Sequence, residues 1–464
     1  MREAIAVLIP ACAIGVFLYP RSASRVCALA LALCLGIGFS SVVSLALIVI
    51  GVAPTSRTFV LIDVAVWVIV AAFGWLNASS TPNFQLPTPK RPQSWDWLAP
   101  TAFGVIAIVA LASVIASSRA APHGDWDAWA IWNQHARFLF RGGDGSWREF
   151  FAITWSQPDY PLLLPASVAR VWAYAGHEST IGPELIAMVF GIACVTLVVT
   201  TLDGQRKWIA GALLLGATTF LTQVPSQCAD VPLACFIVAT LAVTFGDALR
   251  GSRAPGVIAG ATCTMAAWTK NEGVVFVLLM LIVAIVAAMR GPAKAGHDVR
   301  HDRRQLLWSI AGAAPILIAV VWFKLALAPP SGLVEGQSLT VILTRLLDPA
   351  RHATVLGLMA QHAMRWSAPI AVAVFPIVSF VAAWIAVRAG GAVRVMTLVV
   401  GLMLLSYYVV YVTTPFDITW HVTTSVDRLL VQLWPALVLV VFLGLQSPGS
   451  SPQSTVISQK VSDI

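Results

Sequence analysis

Charge is what this sequence has least of. Only 11% of its 464 residues are Asp, Glu, Lys or Arg, against 58% hydrophobic, and the mean hydropathy is +0.82. Soluble domains carry about a quarter charged residues, so the composition excludes a water-soluble fold. Short runs of alternating polarity are missing as well, which excludes an outer-membrane barrel. There is no CxxC pair: Cys12, Cys27, Cys34, Cys194, Cys235 and Cys263 lie in apolar runs, and Cys228 alone stands near a helix end. Neither a disulfide framework nor a thiolate metal site is expected. His123, His135 and His177 form no HExxH or HxxxH pattern, and His297 and His301, four apart in a basic loop, read as a solvated face. No internal repeat is visible, whereas many transporters are built from them. The opening run MREAIAVLIPACAIGVFLYP lacks a small-residue cleavage site and reads as a retained first helix.

What the sequence does have is apolar runs of membrane length. Thirteen stand at about 4–20, 27–53, 58–76, 98–117, 181–202, 208–224, 231–249, 256–269, 273–289, 306–327, 367–387, 395–413 and 429–446. A helix needs about 20 such residues to cross a hydrocarbon core of about 30 Å. The expected fold is an all-α integral membrane protein with about 13 transmembrane helices and a large external loop, 118–180, containing interfacial helices. Within that loop Leu162 to Ala175 carries Arg170 and is broken by Pro161 and Pro165, as an interfacial or re-entrant helix would be.

Loop charges set the orientation. Arg21 with Arg25, Lys90 with Arg91, Arg206 with Lys207, Arg250 with Arg253, the run Arg290 to Arg304, and Arg388 with Arg394 fall on one side. Cytoplasmic loops collect basic residues, so that side is inside. The net charge of +8 is distributed over these loops and gives no reason to expect a nucleic-acid partner. Residues 1–76 read as accessory N-terminal helices and 77–97, with Pro82, Pro87, Pro89 and Pro92, as a cytoplasmic linker. Residues 98–446 read as the main bundle and Ser-rich 447–464 as a disordered cytoplasmic tail.

Most polar groups that do not belong in lipid then fall outside. Asp125 and Asp127 follow the fourth span, Asp159 and Tyr160 precede the interfacial helix, and Asp230 opens the seventh span. Lys270, Asn271 and Glu272 divide the eighth from the ninth; His421, Asp427 and Arg428 precede the thirteenth. Lys270 and Glu272 either pair across a tight turn or contact a phosphate or sugar. Trp126, Trp129 and Trp132 suit the headgroup layer, yet an aromatic belt requires no carboxylates. In a helix starting near Asp125, Trp129 and Trp132 are expected on one face with Asp125 as N-cap. At least one of Asp125 and Asp127 is read as catalytic. Asp63, inside the third span, fits helix packing as well as function.

Five segments, GDWDAWAIWNQHARFLF, PDYPLLLP, QCADVPLACF, AWTKNEGVVF and FDITWHVTTSVDRLLVQLWP, resemble in order motifs of multi-span type C glycosyltransferases. That group contains the protein O-mannosyltransferases and lipid A aminoarabinose transferases, and the resemblance runs over about residues 98–446. It implies a multi-pass enzyme of the cell (inner) membrane that takes a sugar from a polyprenyl-phosphate donor. The sugar would pass to a glycan, lipid or protein acceptor on the periplasmic side. It also implies an acidic base in the first external loop: Asp127 matches that position and Asp125 is the fallback. Ala128 follows Asp127 where the O-mannosyltransferases carry an Asp-Glu pair, which leaves the acceptor class open.

The residues suit that chemistry on their own account. Attack by a hydroxyl needs a carboxylate to take its proton, and a departing lipid phosphate needs cations, here Arg428, Lys270 and His421. Asp159, Tyr160, Asp230, Glu272, Asp427 and Trp129 are the candidates for sugar or acceptor contacts. The residues name no particular cofactor, and a divalent metal ion beside Asp127 stays open. The rival reading is a transporter or flippase, whose intramembrane charges mark a substrate path.

Overall fold

The computed structural model describes residues 1–22, 24–76, 97–246, 248–249, 253–290, 299–333, 335–368, 372–389 and 391–445. The expected linker, Trp97 apart, and the expected tail lie outside the described residues, as do His297 and the His301 side chain. Among the described residues the architecture is all-α, and Ser22 and Leu249 form an isolated β-bridge.

Four helices come first: α1 (Arg2–Leu18), α2 (Arg25–Val49), α3 (Arg57–Leu76) and α4 (Leu98–Ala120). A π-helical turn, Ala128–Trp132, leads into α5 (Asn133–Arg141), followed by α6 (Leu163–Ala175) and α7 (Ile181–Thr201). Then come α8 (Arg206–Leu215), α9 (Thr218–Gln223), α10 (Asp230–Phe245), α11 (Ala254–Thr269), α12 (Glu272–Arg290) and α13 (Val299–Ala326). The chain closes with α14 (Leu339–Leu346), α15 (Pro349–Arg365), α16 (Val374–Arg388), α17 (Gly391–Thr413) and α18 (Ile418–Gly444).

Nine of the described helices are long and apolar enough to cross a membrane: α1, α2, α3, α4, α7, α12, α13, α17 and α18. The other four expected spans are shorter. The run at 208–224 breaks into α8 and α9 around Gly216, and α10, α11 and α16 hold 16, 16 and 15 residues. Local sequence sets several starts: Ser24 caps α2, Asp348 caps α15 ahead of Pro349, and the Asp417 carboxylate accepts the Trp420 N–H at 2.8 Å to begin α18.

The helix ends fall into two groups. At one end Ser179, before α7, donates to Glu3 of α1, and Lys270, after α11, meets Asp230 at the start of α10. At the other end Ser22, between α1 and α2, reaches the Ala248 carbonyl. That second end carries a ring of cations over aromatic faces: Arg21 on Phe17, Arg25 on Tyr19, Lys207 on Trp208, Arg253 on Trp308 and Arg388 on Trp384.

Two packing features position the polar groups at the first end. Helices α11 and α13 meet through glycine: a Cβ at Gly260 would lie 1.9 Å from the Ser309 carbonyl oxygen, and one at Gly312 1.9 Å from that of Val257. Lipid gives no hydrophobic push between helices, so small residues that let backbones approach supply the contact. This alignment brings the C-terminal ends of α11 and α13 together.

Helix α6 is buried on all of its 13 residues. Ser167 donates to the Leu163 carbonyl and reaches the Ile37 carbonyl in the middle of α2 at 3.4 Å, so α6 packs inside the bundle. Its Arg170 pairs with Asp63 of α3: Nη2 meets Oδ2 at 2.6 Å, Nε meets Oδ1 at 3.1 Å, and Nη1 donates to the Ala6 carbonyl. Tyr174 and Trp67 donate to the same carboxylate at 2.5 and 3.3 Å. The first three helices are thereby bound to the loop that follows α4. Helix α2 also packs inside the bundle, where Trp268 of α11 donates to Ser41 at 2.9 Å and the Cys34 and Cys235 sulfurs lie 3.2 Å apart.

Candidate active site

The turn between α11 and α12 is as short as the sequence suggests. Lys270 ends α11 in extended backbone and Glu272 opens α12. Gly273 makes the step possible, because a Cβ there would stand 1.9 Å from the Ala266 carbonyl oxygen. The Lys270 ammonium lies 3.1 Å from Glu272 Oε1 and 2.9 Å from Asp230 Oδ1. The pairing across the turn therefore exists, and a second carboxylate joins it. Burial alone would lower the Lys270 pKa, but Asp230 and Glu272 outweigh it and hold the ammonium well above its ordinary value.

Asp230 is 1% exposed, and its Oδ1 accepts from both Lys270 and Gln432, the latter at 2.6 Å. Tyr407 donates to Gln432 Oε1 at 2.7 Å. Asp230 thus sits buried beneath the surface of the site, with its carboxylate turned to Lys270 and Gln432. One turn earlier on α18, Arg428 Nη1 donates to Asp127 Oδ2, and the two residues are 301 apart in the chain. Asp127 and Arg428 side chains are 26% and 19% exposed. Arg428 also acts electrostatically on Lys270. Two polar atoms here are buried without a hydrogen-bond partner, Arg428 Nε and Glu272 Oε2.

The loop before α6 completes one wall. Asn271 donates to Asp159 Oδ2 at 2.7 Å, and Lys324, at the C-terminal end of α13, donates to Asn271 Oδ1 at 2.7 Å and to the Asp159 backbone carbonyl. Tyr160 stacks on Trp132 with ring centres 5.4 Å apart, and Lys270 lies 5.9 Å from the Tyr160 ring centre. Burial raises the Tyr160 pKa, so its hydroxyl stays protonated. Burial likewise pushes the Cys228 thiol up to about 12, which removes it as a thiolate nucleophile. A separate small void lined by Trp132, Leu164, Ile186 and Cys228 includes none of the charged side chains.

Asp127, Arg428, Lys270, Glu272, Asp230, Asp159 and Tyr160 therefore gather at one end of the bundle. The remaining candidates bond to other partners. Asp125 is exposed, and its carboxylate accepts the Trp126 N–H at 2.9 Å, the first of its helix. Asp427 pairs with His362 of α15 at 3.2 Å, because neighbouring residues on a helix point about 100° apart and Arg428 takes the inner direction. His421 accepts or donates at Thr414 Oγ1, 2.8 Å away, among Tyr411, Phe416 and Trp420, and touches neither Arg428 nor Asp127. Trp129 is 49% exposed beside Trp126, whereas Trp132 is buried. The expected shared face of Trp129 and Trp132 is lost because the chain makes a wider π turn at this point.

Three polar residues of the cluster escaped the sequence reading: Lys324, Gln432 and Tyr407. A lone Lys in the apolar run VVWFKLALAPP was the signal for the first. Polar residues at 421, 425, 428 and 432, spaced as one helical face, were the signal for the second. Among the described residues no three His, Cys, Asp or Glu side chains gather as a metal-ligand group. The acids of the site instead face protein donors.

No family model matches the sequence, and no curated protein does either. The chain is similar to the crystal structure of ArnT from Cupriavidus metallidurans bound to undecaprenyl phosphate, with 14% identity and a TM-score of 0.41. The likeness covers 80% of this chain and 64% of that chain, so this chain spans less than two thirds of its length. A likeness that divergent assigns no chemistry, which has to come from the side chains themselves.

Proposed function

We propose that this protein is a membrane glycosyltransferase that moves a sugar from a polyprenyl-phosphate donor to an acceptor hydroxyl, with Asp127 as general base. The observation that carries the reading is the meeting of Asp127 and Arg428, 301 residues apart, at the end of the bundle that also holds Lys270 and Glu272. A partly exposed carboxylate faces a guanidinium, with further cations close by. That is the arrangement needed to take a proton from a nucleophile and to receive an anionic leaving group.

In the reaction, the acceptor O–H gives its proton to an Asp127 carboxylate oxygen while its oxygen bonds to the anomeric carbon. The bond from that carbon to the donor phosphate breaks, and the phosphate keeps the electron pair. Arg428 receives the departing charge. Lys270 is held between Asp230 and Glu272 and acts through them. The basic, aromatic-backed end is the cytoplasmic one on the charge rule, which puts the carboxylate end on the periplasmic side of the inner membrane. The acceptor is a glycan, lipid or protein reached from that side.

Purified protein in nanodiscs, given a polyprenyl-phosphate sugar and cell-envelope acceptors, should yield labelled product. Asp127→Asn should yield none while remaining folded. If proteoliposomes instead move a labelled solute across the bilayer with no glycosyl product, the transporter alternative replaces this reading.

A further inference from the structure

We infer that the Asp127–Arg428 ion pair is a resting latch, which the donor phosphate opens and which ties release of the base to arrival of the donor. This rests on the proposed glycosyl transfer and specifies its order. Three cations line the site, and two are already committed. Lys270 is shared by Asp230 and Glu272, and Lys324 is bound to Asn271 and the Asp159 carbonyl. Arg428 differs. It holds Asp127 through Nη1 alone, and its Nε is buried with no hydrogen-bond partner. A guanidinium engaged on one nitrogen is an incomplete site for a two-oxygen anion, since a phosphate oxygen pair matches its fork better than a single carboxylate oxygen does.

The same contact blunts Asp127. The carboxylate oxygen that accepts from the guanidinium is engaged there and is not open to an acceptor hydroxyl. When a phosphodiester takes the guanidinium, Arg428 exchanges one anion for another. Asp127 then loses its guanidinium partner, and the oxygen that was held is open to the acceptor hydroxyl. The donor therefore binds first, and without it the acceptor hydroxyl meets a base already occupied.

The pair is not needed to anchor the segment it belongs to. Asn133 donates to Gln227 at 2.9 Å, Gln227 donates to the Pro122 carbonyl at 3.0 Å, and Asp125 N donates to the Ser226 carbonyl at 3.0 Å. Removing the Asp127 charge should leave the helix start in place and set Arg428 free.

Farnesyl phosphate is the probe, and its affinity for the full chain in nanodiscs is the measurement. Because one guanidinium serves two anions, the two are coupled reciprocally: Asp127→Asn should bind the probe about tenfold tighter, while Arg428→Gln should bind it at least about tenfold weaker. The double variant should bind like Arg428→Gln alone. If Arg428→Gln weakens binding and Asp127→Asn does not tighten it, the latch is wrong and phosphate recognition by Arg428 stands. If Arg428→Gln binds as the wild type does, Arg428 is not the phosphate cation and the proposed role fails with it. The wild-type chain supplies a measurement free of folding effects. Carbodiimide labelling of Asp127 should rise severalfold on adding the probe, because the released carboxylate becomes reachable, and an unchanged yield overturns the latch.

Discussion

Two charge clusters are enclosed by this bundle, and they are completed to different degrees. At Asp63 and Arg170, 0% and 2% exposed, the carboxylate accepts from Arg170 Nε and Nη2, Tyr174 and Trp67, and the remaining guanidinium nitrogen reaches Ala6. Nothing is left over for a ligand. At Asp127 and Arg428 the guanidinium uses one nitrogen, Arg428 Nε and Glu272 Oε2 have no partner, and both members of the pair are partly exposed. An ion pair in the interior is thus no sign of a site by itself. An ion pair whose partners keep spare hydrogen-bonding capacity and partial exposure is the better sign, because such a pair can still take up a ligand.

Exchanging each carboxylate for its amide tests the comparison most severely. Asp127→Asn should lower sugar transfer by about a hundred- to ten-thousandfold, the worth of a general base, and leave thermal unfolding nearly unmoved. Asp63→Asn should do the reverse, with loss of folded protein and normal turnover per folded molecule. A large activity loss in Asp63→Asn at unchanged stability would erase the distinction.

Next in size is Arg170→Ala. Removing one partner of a fully buried pair should cost about 3–5 kcal/mol, read by thermal or denaturant unfolding in detergent. Replacing both partners, Asp63→Leu with Arg170→Met, should recover most of that, since an apolar pair of similar size avoids the uncompensated charge. Failure of the double variant to recover would mean that the cluster does more than hold α1, α3 and α6 together.

The pair at Lys270 and Glu272 depends on a backbone approach, so Gly273→Ala should cost about 1–3 kcal/mol and lower activity through the displaced turn. An equally stable and active variant would show that the turn has room to shift.

The smallest effect concerns His135, which marks the quiet flank of the open cluster. Burial holds its ring at about 3, below its ordinary 6.5. Above pH 6.5 both folded and unfolded chains carry it neutral. Below that, the unfolded chain takes up a proton that the folded chain refuses, so stability falls by about 1.4 kcal/mol per pH unit on the way down. His135→Gln should flatten unfolding midpoints measured between pH 6.5 and 4.5.

Much of this arrangement was legible in the residues. Long apolar runs announced the helices, and the one-sided scatter of Asp127, Lys270, Glu272 and Arg428 announced a cluster, because charge near lipid needs company. Periodicity could also have separated Asp427 from Arg428, as adjacent helical positions face apart. Other features follow from tertiary geometry alone. Asp63 and Arg170 are 107 residues apart and neither run names its partner. The π turn at Ala128–Trp132, which sends Trp129 outward and Trp132 inward, depends on how the loop docks on Ser226 and Gln227. The break of the sixth run at Gly216 is likewise invisible to hydropathy, which counts apolar residues and not direction.

The tie between Arg170 and the first three helices has a practical side. A shortened chain starting at Leu98 would retain every proposed reactive group, yet it would strip Arg170 of the Asp63 carboxylate and the Ala6 carbonyl at once. A naked guanidinium would then sit inside the bundle, so trimming the first three helices would cost the folded protein on which the reactive groups depend.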